Sequence, residues 1–366
     1  MNTVGYWKKS IPINQNKIAA TDITRFAMSS MYSIDFFLFT AKDVDLKKKT
    51  INGLFWDKEN LKFFRKETIY PKLIDFRMGG NLHKLHPEIF SEFKENSYIV
   101  TSNLIGSKSE NNKWLEKTKF KENTIPTSNE ISKEKLNEML DMHNKIILKP
   151  STGSNGRGIY KISKTEDGLV DVHYETEKYI TKIEEFLENN ETLFKEKKYL
   201  VQAYIESTSL EGNPMDVRLN LARRSKGIWE ISGLYLRLGG SSYIGTNMGK
   251  EQKSNSINVL DSLKYQFGEE EGNKVYNKIQ KMALEFPEIY QKKLKFTTPE
   301  LCLDLGIDRE TKQIYIFEVG VSPGNTAMPA DKVPIHNVEF YNYLLRSVFP
   351  KIKENRVNTI KSGGTK

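Results

Sequence analysis

The feature that most restricts this 366-residue chain is a glycine-rich stretch set between two strand-like segments. It runs Lys149-Pro150-Ser151-Thr152-Gly153-Ser154-Asn155-Gly156-Arg157-Gly158. Lys145-Ile146-Ile147-Leu148 reads as a strand leading into it, and Ile159-Tyr160-Lys161-Ile162 resumes a strand after it. Glycines let backbone N–H groups come close to an anion, and successive N–H groups make a concavity that suits phosphate oxygens. No Gly-Lys-Ser/Thr follows, so this is not the P-loop pattern. One reading is a hairpin that folds over phosphates, with Lys149 as a point charge at its base. The other is an ordinary hairpin turn.

The length favours two or three lobes over one domain. With 38% hydrophobic and 28% charged residues, the chain has enough apolar material for packed cores and is not expected to be disordered. No apolar run approaches the roughly 20 residues that cross a bilayer, and the N-terminus lacks the apolar segment of a secretory signal. A cytoplasmic protein with no membrane partner is expected. The single cysteine, Cys302, excludes an internal disulfide and a cysteine-built metal site. A net charge of +9 suits an anionic ligand. The basic residues are interleaved with acidic ones, as in Lys195-Glu196-Lys197-Lys198, so a nucleic-acid partner is not expected. The composition is compatible with a homodimer but specifies no assembly.

Along the chain, short strands alternate with helices, which predicts an α/β protein with an open sheet in its first third. Thr3–Tyr6, Ile34–Phe39 and Lys72–Arg77 read as strands, Asp22–Tyr32 as a helix, and Asn52-Gly53 as a turn. Residues 108–142 read as mostly helical, 175–198 as one charged helix, and 261–290 as containing a long helix. Lys198–Ile205 is expected to be a strand. Val217–Ala222 with Ile228–Leu238, and Leu301–Ile307 with Gln313–Val319, are expected to be antiparallel pairs. Gly239–Lys253 reads as a polar loop, and residues 351–366 as a mobile basic tail.

Two further clusters carry chemistry. Asp304 and Glu318 fall on neighbouring predicted strands, where a short turn can bring both carboxylates to one face. Mg²⁺ commonly takes one or two carboxylates together with substrate phosphates. Arg218 and Arg237 fall on the other predicted pair, and arginines so placed can meet phosphoryl charge bidentately. His83 and His86 have helical spacing but no companion ligands, so a structural role is expected. Cys302 is expected to be a buried or site-lining small residue.

Taken in order, these motifs resemble the ATP-grasp superfamily, in its YheC/YheD-type (endospore coat-associated) branch. The similar segments are Tyr70–Arg77, Lys113-Trp114, Ile147–Pro150 with the glycine loop, Leu200–Ile205, Pro214–Arg218, Thr246–Gly249 and the Asp304/Glu318 pair. The resemblance spans roughly residues 1–345. It implies an ATP-grasp fold of three α/β lobes with ATP between the central and C-terminal ones. The lobes would be 1–105 (N-terminal), 106–205 (linker helices and central lid lobe) and 206–350 (C-terminal, with the metal site), before the tail.

The resemblance also implies roles. Lys113 and Lys149 would contact the nucleotide phosphates, and Ser151, Gly153, Ser154, Gly156, Arg157 and Gly158 would close over them. Gln202 would meet the adenine amino group, with the backbone of Ala203, Tyr204 and Ile205 at the ring edge. Glu206 or Glu211 would hold the ribose. Asp304 and Glu318 would bind one or two Mg²⁺ ions. Arg218 and Arg237 would stabilise the transferred phosphoryl group, and Asn247 and Gly249 would lie near the reacting carboxylate. The implied activity is ATP-dependent ligation of a carboxylate to an amine through an acyl phosphate, with a peptide or amino acid among the compatible substrates. The alternative is a nucleotide-binding structural or regulatory protein of the spore coat. One departure bears on this choice. The family usually has Asn two residues after the metal-binding Glu, and here that position is Gly320. Asn325, nearby in sequence, is the candidate to replace it.

Overall fold

The first lobe grows from buried apolar runs joined by an amphipathic crossover. β1 (Thr3–Trp7) and β2 (Asp35–Phe39) pair in parallel, and α1 (Ala20–Met31) makes the connection that parallel pairing requires. Asp22, Arg25, Phe26 and Ser29 form its buried stripe, at i, i+3, i+4 and i+7. The computed structural model describes residues 2–76, 82–102, 106–151, 158–240, 244–246, 255–320 and 332–349, and the three sheets reported below lie among these.

β3 (Val44–Asp45), β4 (Thr50–Asp57) and β5 (Lys62–Ile69) form an antiparallel meander. β6 (Leu73–Phe76), α2 (Leu82–Leu85), α3 (Pro87–Asn96) and β7 (Tyr98–Thr101) complete the sheet. Its order is β3-β4-β2-β1-β6-β7, with β5 on β4. The Asn52-Gly53 turn expected from sequence is not there, because both residues lie inside β4. Gly53 serves packing instead. A Cβ on it would sit 2.5 Å from Cδ2 of Phe37, so the glycine is what lets that ring lie on the strand.

α4 (Lys108–Leu115) leads into the second lobe. There β8 (Thr127–Ser128), α5 (Lys133–His143), β9 (Lys145–Pro150), β10 (Tyr160–Lys164), β11 (Val170–Tyr174) and β12 (Glu177–Thr181) are followed by α6 (Ile183–Asn189), α7 (Glu191–Glu196) and β13 (Tyr199–Ala203). The strands form an antiparallel sheet of order β12-β11-β10-β9-β13-β8. The single helix expected over 175–198 is instead a strand and two short helices. Glu175 turns the chain at a φ of 52°, and Tyr179-Ile180-Thr181 is β-favouring despite its charged flanks. Ile146, Leu148, Tyr160, Ile162, Tyr199 and Val201 pack one face of the sheet on Leu136, Leu140 and Phe186. Strand alternation puts Lys145, Ile147, Lys149, Lys161, Leu200 and Gln202 on the other face.

The third lobe holds β14 (Met215–Arg223), β15 (Trp229–Leu238), β16 (Asn255–Ile257), α8 (Val259–Phe267), α9 (Glu269–Lys293), β17 (Glu300–Ile307) and β18 (Ile314–Gly320). Its sheet is antiparallel, with order β16-β15-β14-β17-β18. Val217, Leu219, Leu303 and Leu305 cover one face and pack with Ile279, Phe286 and Tyr290 of α9. The long helix expected within 261–290 is α9, 25 residues long, set off from α8 by Gly268 with a φ of 85°.

α10 (Lys332–Tyr343) returns to the first lobe, where Val338, Phe340 and Tyr341 share a core with Phe26 and Phe36. Arg25 Nη2 donates to Asn337 Oδ1 at 3.3 Å, and Asn337 Nδ2 donates to Glu300 Oε1 at 2.9 Å, so α10 ties the first and third lobes together. Residues 351–366 lie outside the described residues. Gly53→Ala should lower the stability of the first lobe by about 1–3 kcal/mol through overpacking against Phe37. An unchanged thermal melt would contradict this account of Gly53.

Candidate functional site

The alternation that buries one face of the third sheet leaves a polar face made in rows. Register places Arg237 beside Asp216, and Arg218 beside both Tyr235 and Asp304. Asp304 stands opposite Glu318 on β18. A bulge follows Asp304, with Phe317 as the extra residue, and Gly306 leaves room for its ring; a Cβ there would lie 2.0 Å from Phe317 Cζ.

The charges in these rows alternate and touch. Arg218 donates to both oxygens of Asp304, with Nη2 3.0 Å from Oδ2. Arg237 reaches the same Oδ2 at 3.0 Å and clamps Asp216 with Nε and Nη2 at 2.6 and 2.5 Å. Thr246 Oγ1 donates to Asp216 Oδ2 at 2.6 Å. Burial works against the charge of Arg237, but Asp216 and Asp304 outweigh it and hold the guanidinium above its ordinary range.

Two lysines come to this row from elsewhere. Lys149, at the end of β9, lies among Lys108, Glu318 and Asp304. Burial pushes its ammonium down to about 8, helped by the Lys108 charge and opposed by the two carboxylates. Lys108 Nζ lies 3.4 Å from Glu318 Oε2. It is the first residue of α4, whose start is fixed by a capping box: Ser107 N donates to Glu110 Oε2 at 2.6 Å and Glu110 N to Ser107 Oγ at 3.2 Å. Four cations from four elements, α4, β9, β14 and β15, therefore face Asp216, Asp304 and Glu318. Lys108 was not among the residues singled out from sequence, although Ser107-Lys108-Ser109-Glu110 is a legible helix start. Lys113, which was, is exposed and lies about 140° further round α4.

On the second lobe, Gln202 is buried and donates from Nε2 to Thr127 Oγ1 at 2.7 Å. The N–H groups of Ala203 and Tyr204 already donate to Pro126 O and Lys145 O, both at 3.0 Å, so neither is left for a ligand's ring edge. Ile205 follows them, half-buried. Glu206 and Lys145 pair at 2.9 Å, and Lys161 Nζ sits 4.0 Å from the centroid of the Tyr204 ring. Burial lowers the Lys161 pKa, opposed by Glu206. Glu211 is exposed and accepts from Tyr265 OH at 3.0 Å. Ser151 N donates to Lys198 O at 2.7 Å at one end of the glycine loop. At the other end Gly158 has a φ of 72°, and a Cβ there would meet Tyr199 OH at 2.8 Å. Gly153, Ser154, Gly156 and Arg157 lie outside the described residues, as do Asn247, Gly249 and Asn325.

Residues 98–346 match the family described as YheC/D like ATP-grasp. The chain belongs to this family. It is 24% identical over 308 residues, 79% of its length, to the endospore coat-associated protein YheD of Bacillus subtilis (strain 168), and the match spans 64% of that relative. Among solved structures it resembles D-cycloserine synthetase DcsG at a TM-score of 0.50 and 10% identity, with 94% of this chain and 100% of that one covered. It also resembles D-alanine–D-alanine ligase from Bacillus anthracis at 0.51 and 12% identity, with 97% and 100% covered. At these identities the structures speak for the fold, and the three α/β lobes expected from sequence are those of an ATP-grasp protein.

Asp304 and Glu318 fit a magnesium ion only in part. They supply two hard-oxygen side chains, the usual protein share when phosphates complete the shell. Among the described residues no three His, Cys, Asp or Glu side chains gather as a metal cage. Lys149→Met should raise stability at pH 7 by on the order of 2 kcal/mol, because it removes a desolvated ammonium. In the wild type the folded pKa of about 8 lies below the ordinary 10.5. The unfolded chain thus binds more protons between these values, and stability at this group should rise as pH climbs through them. Denaturation midpoints at pH 7 and 10 measure both effects; a less stable Lys149→Met variant would contradict the assignment.

Proposed function

We propose that this family member is an ATP-dependent ligase that joins a carboxylate to an amine through an acyl phosphate, releasing ADP and phosphate. The observation that carries the reading is the meeting of Lys108, Lys149, Arg218 and Arg237 around Asp304 and Glu318, where the second and third lobes face each other. A site with this much positive charge and two hard-oxygen donors suits a polyphosphate and its metal.

In this reading the triphosphate lies along Lys149 and Lys108, with Lys108 in the part first expected of Lys113. The purine rests on the face that holds Ile147 and Leu200. Gln202 keeps Oε1 for the adenine amino group, Ile205 serves the ring edge, and Glu206 is favoured over Glu211 for the ribose. The residues Ser151 to Gly158 cover the phosphates. Asp304 and Glu318 hold Mg²⁺, which screens charge on the phosphate oxygens. A substrate carboxylate oxygen bonds to the γ-phosphorus as the bond to the bridging oxygen of ADP breaks. Arg218 and Arg237 stabilise the phosphoryl charge during this step. The amine nitrogen then bonds to the acyl carbon, phosphate leaves with the former carboxylate oxygen, and the amine proton passes to solvent. A peptide or amino acid is the proposed substrate.

A second reading is a nucleotide-binding protein of the spore coat that does not turn ATP over. It is favoured by Gly320, which offers no side-chain oxygen beside Glu318, and by the likeness to a coat-associated relative. ADP release that requires both a carboxylate and an amine supports the ligase; nucleotide that stays bound and intact across a broad substrate screen supports the second reading.

The lowered pKa of Lys149 sets a pH signature. Its charged form attracts phosphate, so nucleotide affinity should be level near pH 7 and fall as pH rises through about 8. Lys149→Arg, charged throughout, should flatten the fall, and Lys149→Ala should weaken binding about tenfold or more at pH 7. Calorimetry over pH 6.5–9.5 reads these outcomes, and no binding at millimolar ATP would end the proposal.

A further inference from the structure

We infer that Cys302 and Gly320 act as one steric unit that limits the site to a single divalent cation. The inference rests on the nucleotide-ligase reading and concerns how many ions accompany the bound triphosphate.

The observation is a contact. Cys302 on β17 faces Gly320 on β18, one row beyond Asp304 and Glu318. A Cβ on Gly320 would lie 2.4 Å from Cys302 Sγ, closer than real side chains approach. Cys302 is buried in the sheet's polar face, so its sulfur takes the volume that a side chain at 320 would need. The row that could have carried another oxygen donor therefore carries a glycine and a soft sulfur, which magnesium disfavours. Asn220 and Gly233 continue the same row. The amide of Asn220 leans toward Gly233, with Nδ2 3.0 Å from where a Cβ of that glycine would be, and so away from Gly320.

Charge points the same way. Both oxygens of Asp304 already accept from guanidinium groups, and Glu318 faces Lys108. One ion can use these two carboxylates together with phosphate oxygens and water. A second would have to share them and would meet the field of Lys108, Lys149, Arg218 and Arg237. Those four side chains supply, as fixed charge, what a second ion would bring.

The test is a count. Mn²⁺ titrated into the full chain with a non-hydrolysable ATP analogue, and followed by electron paramagnetic resonance, should show one tightly bound ion per nucleotide. Two ions would overturn the inference. The double variant Cys302→Ala/Gly320→Asn should gain a second, magnetically coupled Mn²⁺; if it still binds one, the contact is not what limits the site. The steric unit is also readable with no ligand. Gly320→Ala should lower the melting temperature, and adding Cys302→Gly should recover most of the loss; no loss in the single variant would sink the inference. Failure of the nucleotide to bind would instead refute the ligase reading, while the melting temperatures still decide the steric unit.

Discussion

The site depends on one carboxylate held by two guanidinium groups. Asp304 accepts from Arg218 and Arg237, and Arg237 also holds Asp216, so β14, β15 and β17 are tied by alternating charge on a face that is mostly buried. Removing one partner from such a row would strand a buried charge, at a cost of roughly 3–5 kcal/mol. A one-residue slip of any of these strands would turn its charges into the leucine-rich core. The row therefore fixes strand register and keeps two arginines pointed at the second lobe.

What arrives from that lobe is strained by comparison. Lys149 is forced toward neutrality by burial and by Lys108, and only Glu318 and Asp304 pull the other way. A polyanion placed between the lobes would raise the ammonium's pKa again and offset the cost of its desolvation. Sites of this sort give up stability in the free protein and regain it on binding. The capping box at Ser107 and the return of α10 to the first lobe give this arrangement firm supports on two sides.

The parts of this site that were legible in the sequence share one property: their geometry follows from strand alternation. Asp304, Glu318, Arg218 and Arg237 sit at positions where apolar neighbours point the other way, so a period of two was enough to bring them to one face. The lysine before the glycine loop was legible for the same reason. Lys108 was missed because its placement comes from a helix cap and from docking between lobes, which periodicity does not encode. Asn52-Gly53 and the stretch 175–198 were misread because local turn and charge patterns were overridden by packing, of Phe37 on Gly53 and of β12 on β11. The long helix within 261–290 was legible from its pattern, and Gly268 marks where it begins. The meaning of Gly320 needed the structure, since only there does Cys302 become its neighbour.

The most direct test of the central claim is a crystal structure of the full chain with magnesium and a non-hydrolysable ATP analogue. The account predicts a triphosphate between the second and third lobes, within hydrogen-bond reach of Lys149 and Lys108, with its terminal phosphate facing Arg218 and Arg237 and the metal on Asp304 and Glu318. A nucleotide bound elsewhere, or phosphates that leave Lys149 untouched, would contradict it.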